Sequence, residues 1–197
     1  APVAEAAGVG GDWRSPVPPA ADLGARPDLD TLGPVQWQAW QAGEWTARTP
    51  AGEAVDAKSR RGRPAIVILT LGKACTHCNE QVKAFAARAA AFEAAGLPIV
   101  VISTDTPEEI RESGETLPFP VLSGADGAAF RALDAWDDFE GKPLHATCFV
   151  AADGRMRWQH VGYEPFMLPD FLLEEVGRLQ AIPENPECLL RRPTATR

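Results

Sequence analysis

Residues 65–78 read AIVILTLGKACTHC and join an apolar run to a pair of cysteines. The run 65–69 contains only Ala, Ile, Val and Leu, which favours a buried strand. Cys75 and Cys78 follow it, and a helix-patterned stretch starts near Asn79. This order predicts a strand, a short loop that carries two thiols, and then a helix.

Two thiols at a strand-to-helix junction indicate redox chemistry. A helix N-terminus has unsatisfied backbone N–H groups and about half a positive charge, so a sulfur placed there is stabilised as the reactive thiolate. Cysteines separated by two residues lie about one helical turn apart, so the second can attack a mixed disulfide formed on the first. The spacing therefore predicts reversible exchange between dithiol and disulfide.

The composition is that of an ordinary globular protein. The chain has 197 residues, 45% of them hydrophobic and 23% charged, and its formal net charge is -8 at pH 7. We expect neither nucleic acid nor an anionic membrane surface as a partner, because both require clustered Lys and Arg. No apolar run approaches the roughly 20 residues that cross a bilayer, so we expect no membrane insertion. The 4 cysteines are too unevenly spaced for a disulfide scaffold.

Changes in composition divide the chain into three parts. Residues 1–43 are rich in Pro, Ala and Gly and predict an N-terminal arm, part of which packs on the domain because it carries several Trp residues. Residues 44–181 predict one α/β domain, and residues 182–197 a C-terminal tail. The start at Ala1 fits a mature exported protein or a piece of a longer one, and its Ala-Pro content favours a periplasmic or exported location. Nothing in the sequence predicts the oligomeric state.

Strand and helix patterns alternate within residues 44–181. A turn at 50–52 predicts a hairpin between two short extended pieces. The helix after the cysteines has an apolar stripe at three- and four-residue steps and ends at Gly96. Thr106, followed by Pro and two acids, predicts a capped helix start. The remaining predicted elements are strands at 99–102 and 119–122, helices at 128–133 and 168–179, and a hairpin at 147–159.

This succession resembles the thioredoxin fold in its redoxin branch, which includes the peroxiredoxins (alkyl hydroperoxide reductase and thiol-specific antioxidant proteins) and exported thiol reductases that serve cytochrome maturation. The segments that carry the resemblance, over about residues 44–180, are Trp45 to Val55, Gly62-Arg63-Pro64, the CxxC, Ile102-Ser103-Thr104-Asp105, Pro118 to Ser123 and Thr147 to Gly154. The resemblance implies a central mixed β-sheet flanked by α-helices, with the hairpin as an N-terminal extension. It also implies a redox-active disulfide that works without a cofactor.

The resemblance implies that Cys75 is the solvent-facing nucleophile and Cys78 the resolving thiol. The physical argument agrees, since the first cysteine lies nearest the free N–H groups of the helix. His77 lies between the two, and a cation or N–H donor beside a thiolate lowers the thiol pKa. Lys73 adds to this effect.

A third candidate group comes from the other half of the domain. Matching Thr147 to the family motif puts His145 where thioredoxins have a cis-proline and peroxiredoxins have an Arg. We therefore expect His145 to face the thiols and to donate a hydrogen bond to Cys75 or to a substrate oxygen. The alternative is a histidine of a surface loop.

One departure from the peroxiredoxin pattern bears on activity. A peroxiredoxin needs Thr or Ser three residues before its peroxidatic cysteine, within a Pro-containing loop. Gly72 occupies that position here, and residues 71–74 contain no Pro. This departure argues against peroxide reduction.

Several functions of the CxxC remain open at this point. The main prediction is a thiol-disulfide oxidoreductase that exchanges with protein disulfides or dithiols, with the direction of electron flow undetermined. A peroxiredoxin-like thiol peroxidase would use Cys75 as the peroxidatic residue, and Cys78 would resolve its sulfenic acid. A metal-binding module would use the two thiolates and His145 as three of the four ligands that zinc prefers, and a redox-inert binding module would use neither thiol. We expect Cys148 to be a buried strand residue, whereas Cys188 lies in the predicted tail.

Overall fold

The computed structural model of the chain describes residues 40–114 and 116–181. The strands are β1 Trp40–Gln41, β2 Thr46–Arg48, β3 Ala54–Asp56, β4 Ala65–Thr70, β5 Ile99–Ser103, β6 Val121–Ser123, β7 Trp136–Asp137, β8 Lys142–Pro143, β9 His145–Val150 and β10 Arg155–Gly162. The helices are α1 Thr76–Ala86, α2 Ala89–Ala94, α3 Pro107–Ser113, α4 Ala128–Ala132 and α5 Pro169–Ala181, and a 3-10 turn spans Ala57–Arg60. The predicted tail, Cys188 and the first 39 residues of the predicted arm lie outside the described residues.

Eight strands form one mixed sheet in the order β1-β10-β9-β4-β5-β6-β2-β3. β4 runs parallel to β5, and β5 parallel to β6, whereas β9 pairs antiparallel with both β4 and β10. β7 and β8 form a separate two-stranded ribbon. The predicted mixed α/β architecture of the thioredoxin type is confirmed.

The sheet is buried on both faces at its centre. Every residue of β4 and β5 is buried, and the alternating side chains of β4 enter two separate apolar clusters. Val67 and Leu69 pack in a cluster that includes Phe130 of α4. Ile66 and Ile68 pack in the other cluster, with side chains of α1 and α5. Each such buried aliphatic side chain contributes about 1.5–3 kcal/mol of transfer free energy, so β4 is firmly placed, and the loop that follows it starts from a fixed point.

Most of the predicted elements are confirmed. The hairpin is β2 and β3, the buried strands are β4 and β5, and the second hairpin is β9 and β10. Thr106 caps α3 with a capping box, because its hydroxyl accepts from the Glu109 amide while the Glu109 carboxylate accepts from the Thr106 amide. Gly96 ends the α2 region in the left-handed conformation, with φ of 70°.

The helix that carries the cysteines differs from its prediction in two ways. It begins at Thr76 rather than near Asn79, because Cys75 is its cap and the first helical bond runs from the Asn79 amide to the Cys75 carbonyl, at 3.2 Å. It also does not continue to Gly96. At Arg88 the backbone leaves helical values, with φ of -110° and ψ of 2°, and its amide bonds to the Phe85 carbonyl three residues back. α1 and α2 are therefore two helices.

Two strand pairings were not predicted. β1 lies inside the segment predicted as the arm and pairs with β10, with Trp40 opposite Met156. The ribbon pairs Trp136 with Pro143. Both are two-residue strands defined by their partners, so no periodic pattern in the sequence marks them. None of the helices among the described residues combines the length and the apolar content of a membrane span.

Candidate redox site

The loop from β4 to α1 is fixed by a glycine and an aspartate. Gly72 has φ of +89°, and a Cβ built there would lie 2.7 Å from Oδ1 of Asp105. The other oxygen of that carboxylate, Oδ2, accepts a hydrogen bond from the Lys73 amide at 2.9 Å and one from the Ser103 hydroxyl at 2.8 Å. The end of β5 therefore holds the loop, and only a residue without a side chain fits at position 72.

Cys75 and Cys78 form a disulfide at the start of α1, with their Cα atoms 5.2 Å apart. Cys75 is the N-cap of the helix, and its Sγ accepts a hydrogen bond from the Cys78 amide at 3.2 Å. Sγ of Cys78 accepts from the Leu71 amide at 3.3 Å. Cys75 is half-buried, whereas Cys78 is 1% exposed. Backbone N–H groups thus stabilise negative charge on both sulfurs, and Cys75 is the more accessible of the two.

His145, the first residue of β9, lies against both sulfurs. Its Nε2 is 3.4 Å from Sγ of Cys75 and 3.2 Å from Sγ of Cys78. The side chain is buried, and this burial lowers the pKa of His145 below its ordinary value. The backbone of Gly162 and Tyr163 offsets part of the lowering, although no atom among the described residues completes a hydrogen bond to Nδ1. At pH 7 the imidazole is therefore neutral and can give or accept a proton at Nε2.

His77, the residue between the cysteines, has a different position. Its Nδ1 lies 3.0 Å from Oε2 of Glu164, and both side chains are exposed. Glu164 belongs to the segment between β10 and α5. The imidazole of His77 thus joins the rim of the site to that segment, whereas His145 lies beneath the disulfide.

Lys73 is held by its backbone rather than by its ammonium group. Its amide donates to Asp105, and its carbonyl accepts from the Asn79 side chain at 3.0 Å. Its positive charge helps to lower the pKa of the Glu109 carboxyl, although the hydrogen bonds from Thr106 lower it more. Lys73 therefore contributes to the shape of the loop before Cys75.

A buried polar group beside the site was not predicted from the sequence. Gln81 is on α1, three residues after Cys78, and is fully buried. Its Nε2 donates to Oγ1 of Thr147 on β9 and to the carbonyl of Phe166, both at 2.9 Å. The only signal in the sequence was a polar residue next to Val82 on the apolar stripe. Its two partners lie 66 and 85 residues away along the chain.

The three groups around the disulfide also form a set of potential metal ligands. Sγ of Cys75, Sγ of Cys78 and Nε2 of His145 belong to residues whose donor atoms all lie within 4.8 Å of one another. Two thiolates and an imidazole are a donor set that zinc and other thiophilic ions accept.

Apolar side chains are exposed on the segment that borders the site. Tyr163, Met167, Leu168 and Phe171 lie between the end of β10 and the first turn of α5, and each is at least 40% exposed. We call these four residues the apolar rim. The Tyr163 hydroxyl donates to the carboxylate of Asp137 at 2.6 Å and so ties the rim to the ribbon.

Cys148 is the free cysteine among the described residues. It is fully buried in β9, and desolvation raises its pKa to about 12. The predicted role as a buried strand residue is confirmed. A thiol in that state does not react at neutral pH.

Comparison with known proteins extends these observations. The profile of the AhpC/TSA family matches residues 40–159. Among solved structures, AhpC of Mycobacterium tuberculosis superposes with a TM-score of 0.62 and 18% identity, covering 73% of this chain and 93% of that chain. AhpC of Mycobacterium bovis gives a TM-score of 0.63 and 16% identity, covering 76% and 95%.

A third similar structure is peroxiredoxin Q of Xanthomonas campestris, with a TM-score of 0.58 and 17% identity, covering 68% of this chain and 90% of that chain. At these identities the likeness shows a shared fold and nothing further. No functionally curated protein is similar enough to this chain to add to the comparison.

Proposed function

The chain belongs to the AhpC/TSA family, and on that premise we propose that it is a thiol-disulfide oxidoreductase with Cys75 as nucleophile and Cys78 as resolving thiol. Family membership supports a thiol-based redox role. The observation that carries the finer proposal is the CxxC disulfide at the N-cap of α1, with Nε2 of His145 within 3.4 Å of both sulfurs.

The proposed reaction starts from the reduced protein. The Cys75 thiolate, stabilised by the Cys78 amide, attacks one sulfur of a partner disulfide and displaces the other as a thiolate. The Cys78 sulfur then attacks Sγ of Cys75, closes the internal disulfide and releases the second partner thiolate. Two electrons pass from this protein to the partner, and the reverse sequence oxidises a partner dithiol.

His145 has a defined part in this sequence. Cys78 must lose its proton before it can attack, yet it is buried, and the backbone group that donates to it is the Leu71 amide. The neutral imidazole of His145 lies 3.2 Å from that sulfur and can take the proton. The same Nε2 can then donate to the leaving sulfur. His145 therefore serves as the acid–base group of the second step.

The surroundings of Cys75 support a protein as the exchange partner. The apolar rim belongs to the same segment as Glu164, which contacts His77 between the two cysteines. Exposed aromatic and aliphatic side chains of this kind are typical of protein contact surfaces. Glu164 and His77, both exposed, add polar groups at its edge. A partner disulfide in a flexible segment can lie on this rim with its sulfur over Cys75.

Peroxide reduction is the second candidate, and family membership favours it. In this reaction the Cys75 thiolate attacks one oxygen of the peroxide. An S–O bond forms and the O–O bond breaks, so that Cys75 becomes a sulfenic acid and the other oxygen takes a proton and leaves as water or an alcohol. Cys78 then condenses with the sulfenic acid, which forms the disulfide and releases water. Gly72 argues against peroxide reduction, because it stands three residues before Cys75, where a peroxiredoxin has the hydroxyl of Thr or Ser.

The first experiment equilibrates the metal-free protein in a series of glutathione redox buffers and quantifies the Cys75–Cys78 disulfide by peptide mass. We expect a reversible two-electron transition, with a midpoint between about -270 mV for a reductant and about -120 mV for an oxidant. Cys148→Ala is the matched control and should leave the midpoint unchanged. A disulfide that does not respond to the buffers would contradict the proposal.

Two variants test the roles of the cysteines. With a model protein disulfide, Cys75→Ser should abolish exchange, whereas Cys78→Ser should accumulate a mixed disulfide on Cys75. The same variants decide the second candidate when hydrogen peroxide replaces the disulfide. Consumption of the Cys75 thiol well above the rate of a free thiol at the same pH would favour the peroxidase, and a rate like that of a free thiol would exclude it.

A further inference from the structure

The reduced form of the site has the donors of a metal centre. Cys75, Cys78 and His145 are the group of potential metal ligands found among the described residues, and two of the three are buried. We propose that the reduced protein binds one zinc ion through Sγ of Cys75, Sγ of Cys78 and Nε2 of His145. This inference does not depend on the exchange activity proposed above.

The distances suit such an ion. Zinc bonds to thiolate sulfur at about 2.3 Å and to imidazole nitrogen at about 2.0–2.1 Å, so a tetrahedral site places sulfur and nitrogen about 3.6 Å apart. Nε2 of His145 already lies 3.4 Å and 3.2 Å from the two sulfurs. Reduction of the disulfide frees the sulfurs to move to the separation of about 3.8 Å that tetrahedral zinc requires. Cys75 is the N-cap and Cys78 lies in the first turn of α1, with their Cα atoms 5.2 Å apart, so rotation of the two side chains reaches that separation.

The backbone around the sulfurs supports the thiolate form that zinc needs. The Cys78 amide donates to Sγ of Cys75 at 3.2 Å, and the Leu71 amide donates to Sγ of Cys78 at 3.3 Å. These bonds hold the two ligands in place before an ion arrives and stabilise their charge. The cysteine spacing of two residues is also that of many zinc sites.

The fourth position is open to solvent. No fourth His, Cys, Asp or Glu joins the group within the part of the chain that the structure describes. Structural zinc sites have four protein ligands, whereas three protein ligands leave one position open for water or another small ligand. Because Cys75 is half-buried, water or an added thiol reaches the ion from the side of Cys75.

Zinc binding and disulfide formation exclude each other at this site. Hydrogen peroxide and two protons convert the two zinc-bound thiolates to one disulfide, one free zinc ion and two water molecules. The two electrons that peroxide gains come from the two sulfurs. Zinc therefore protects the reduced state, and the oxidised protein has no ligand pair for the ion.

The test titrates the fully reduced chain with zinc under anaerobic conditions against a chromophoric chelator, with proton release recorded in parallel. We expect one zinc per chain and release of thiol protons. His145→Ala should weaken binding about 100-fold or more, since loss of even an outer-sphere partner costs 10–100-fold. His160→Ala, on β10, is the matched control and should retain wild-type affinity.

Cobalt substitution keeps the test valid for a variant with altered packing. Cobalt in the wild-type chain should show tetrahedral bands together with thiolate charge-transfer absorption, and these should be lost in Cys75→Ser. Equal zinc affinity in the wild type and in His145→Ala would overturn the ligand assignment, as would a stoichiometry unaffected by Cys75→Ser. Failure of zinc binding with a normal glutathione transition would reject the metal site alone.

Discussion

At the scale of single residues, the loop before Cys75 depends on contacts with the side chain of Asp105. Gly72 turns the chain where a Cβ would meet Asp105. That carboxylate in turn fixes the Lys73 amide, two residues before Cys75. The position of Cys75 is therefore set in part by contacts that contain no sulfur.

Gly72→Ala should lower the free energy of unfolding by about 1–3 kcal/mol, because an L residue with positive φ is strained and its Cβ meets the carboxylate of Asp105. Gly52→Ala is the matched control, since Gly52 has φ of +87° with open space around it. Denaturant titration of both variants measures the difference. An equal loss in the two would show that the contact with Asp105 has no cost.

His145 should make stability depend on pH. Its folded pKa is lowered by burial, so below about pH 6.5 the unfolded chain binds a proton that the folded chain does not. The free energy of unfolding of the oxidised, metal-free protein should therefore fall as the pH drops below that value. His145→Gln should flatten this dependence, measured by denaturant titration between about pH 7.5 and pH 5. An unchanged slope in His145→Gln would refute the prediction.

At the scale of elements, α1 is attached to β9 by both a polar and an apolar contact. Phe85 packs on the apolar face of the sheet, while Gln81 binds Thr147 of β9 and the Phe166 carbonyl. These contacts fix the position of the helix that carries the cysteines relative to the strand that begins with His145. The distances from Nε2 of His145 to the two sulfurs depend on that relative position.

Gln81→Leu should destabilise the protein by about 1–3 kcal/mol, because it removes the donor to the buried Thr147 hydroxyl and to the half-buried Phe166 carbonyl. Adding Thr147→Val removes one of the two stranded groups, so the double variant should regain part of the loss. A double-mutant cycle in denaturant measures the coupling. Additive losses in the cycle would mean that the two side chains do not interact.

The elements also show what the sequence could predict and what it could not. Strand β4 and the capped start of α3 were predicted because their signals are local, an apolar run in one case and Thr106 with Glu109 in the other. The ribbon was missed because its two-residue strands carry no periodic pattern. β1 was missed because its two residues become a strand only through a distant partner. Gln81 was missed for the same reason. The contact between His145 and the two sulfurs was expected only from the resemblance. The roles of these residues remain predictions.

At the scale of the whole molecule, the formal net charge of -8 should act on charged substrates. Two acids lie at the apolar rim and add to this field: Glu164, which is exposed, and Asp137, which is half-buried and accepts from the Tyr163 hydroxyl. The protein should therefore favour cationic over anionic small disulfides of similar size. Cystamine and dithiodipropionate form such a pair.

With the reduced protein, cystamine should react faster than dithiodipropionate at low salt, and the ratio of the two rates should fall as salt is added. Near about 1 M salt, where charges are screened beyond about 3 Å, it should reach the ratio that a small uncharged thiol shows with the same two disulfides, which differ in the pKa of their leaving thiols. The uncharged hydroxyethyl disulfide is the control and should show no salt dependence. Stopped-flow rates measure all three reactions. A ratio that does not change with salt would assign the selectivity to contact rather than to charge.

The two sulfur acceptors at the start of α1 also make the backbone a reporter of oxidation state. The Cys78 amide donates to Cys75 and the Leu71 amide donates to Cys78, so each sulfur has its own N–H group. When reduction leaves a thiolate on Cys75, the Cys78 amide gains a charged acceptor, and its exchange with deuterium should slow. The Leu71 amide should change less while Cys78 keeps its proton. The amide resonances of Cys78 and Leu71 would then follow the ionisation of the two thiols separately, without a probe attached to either sulfur.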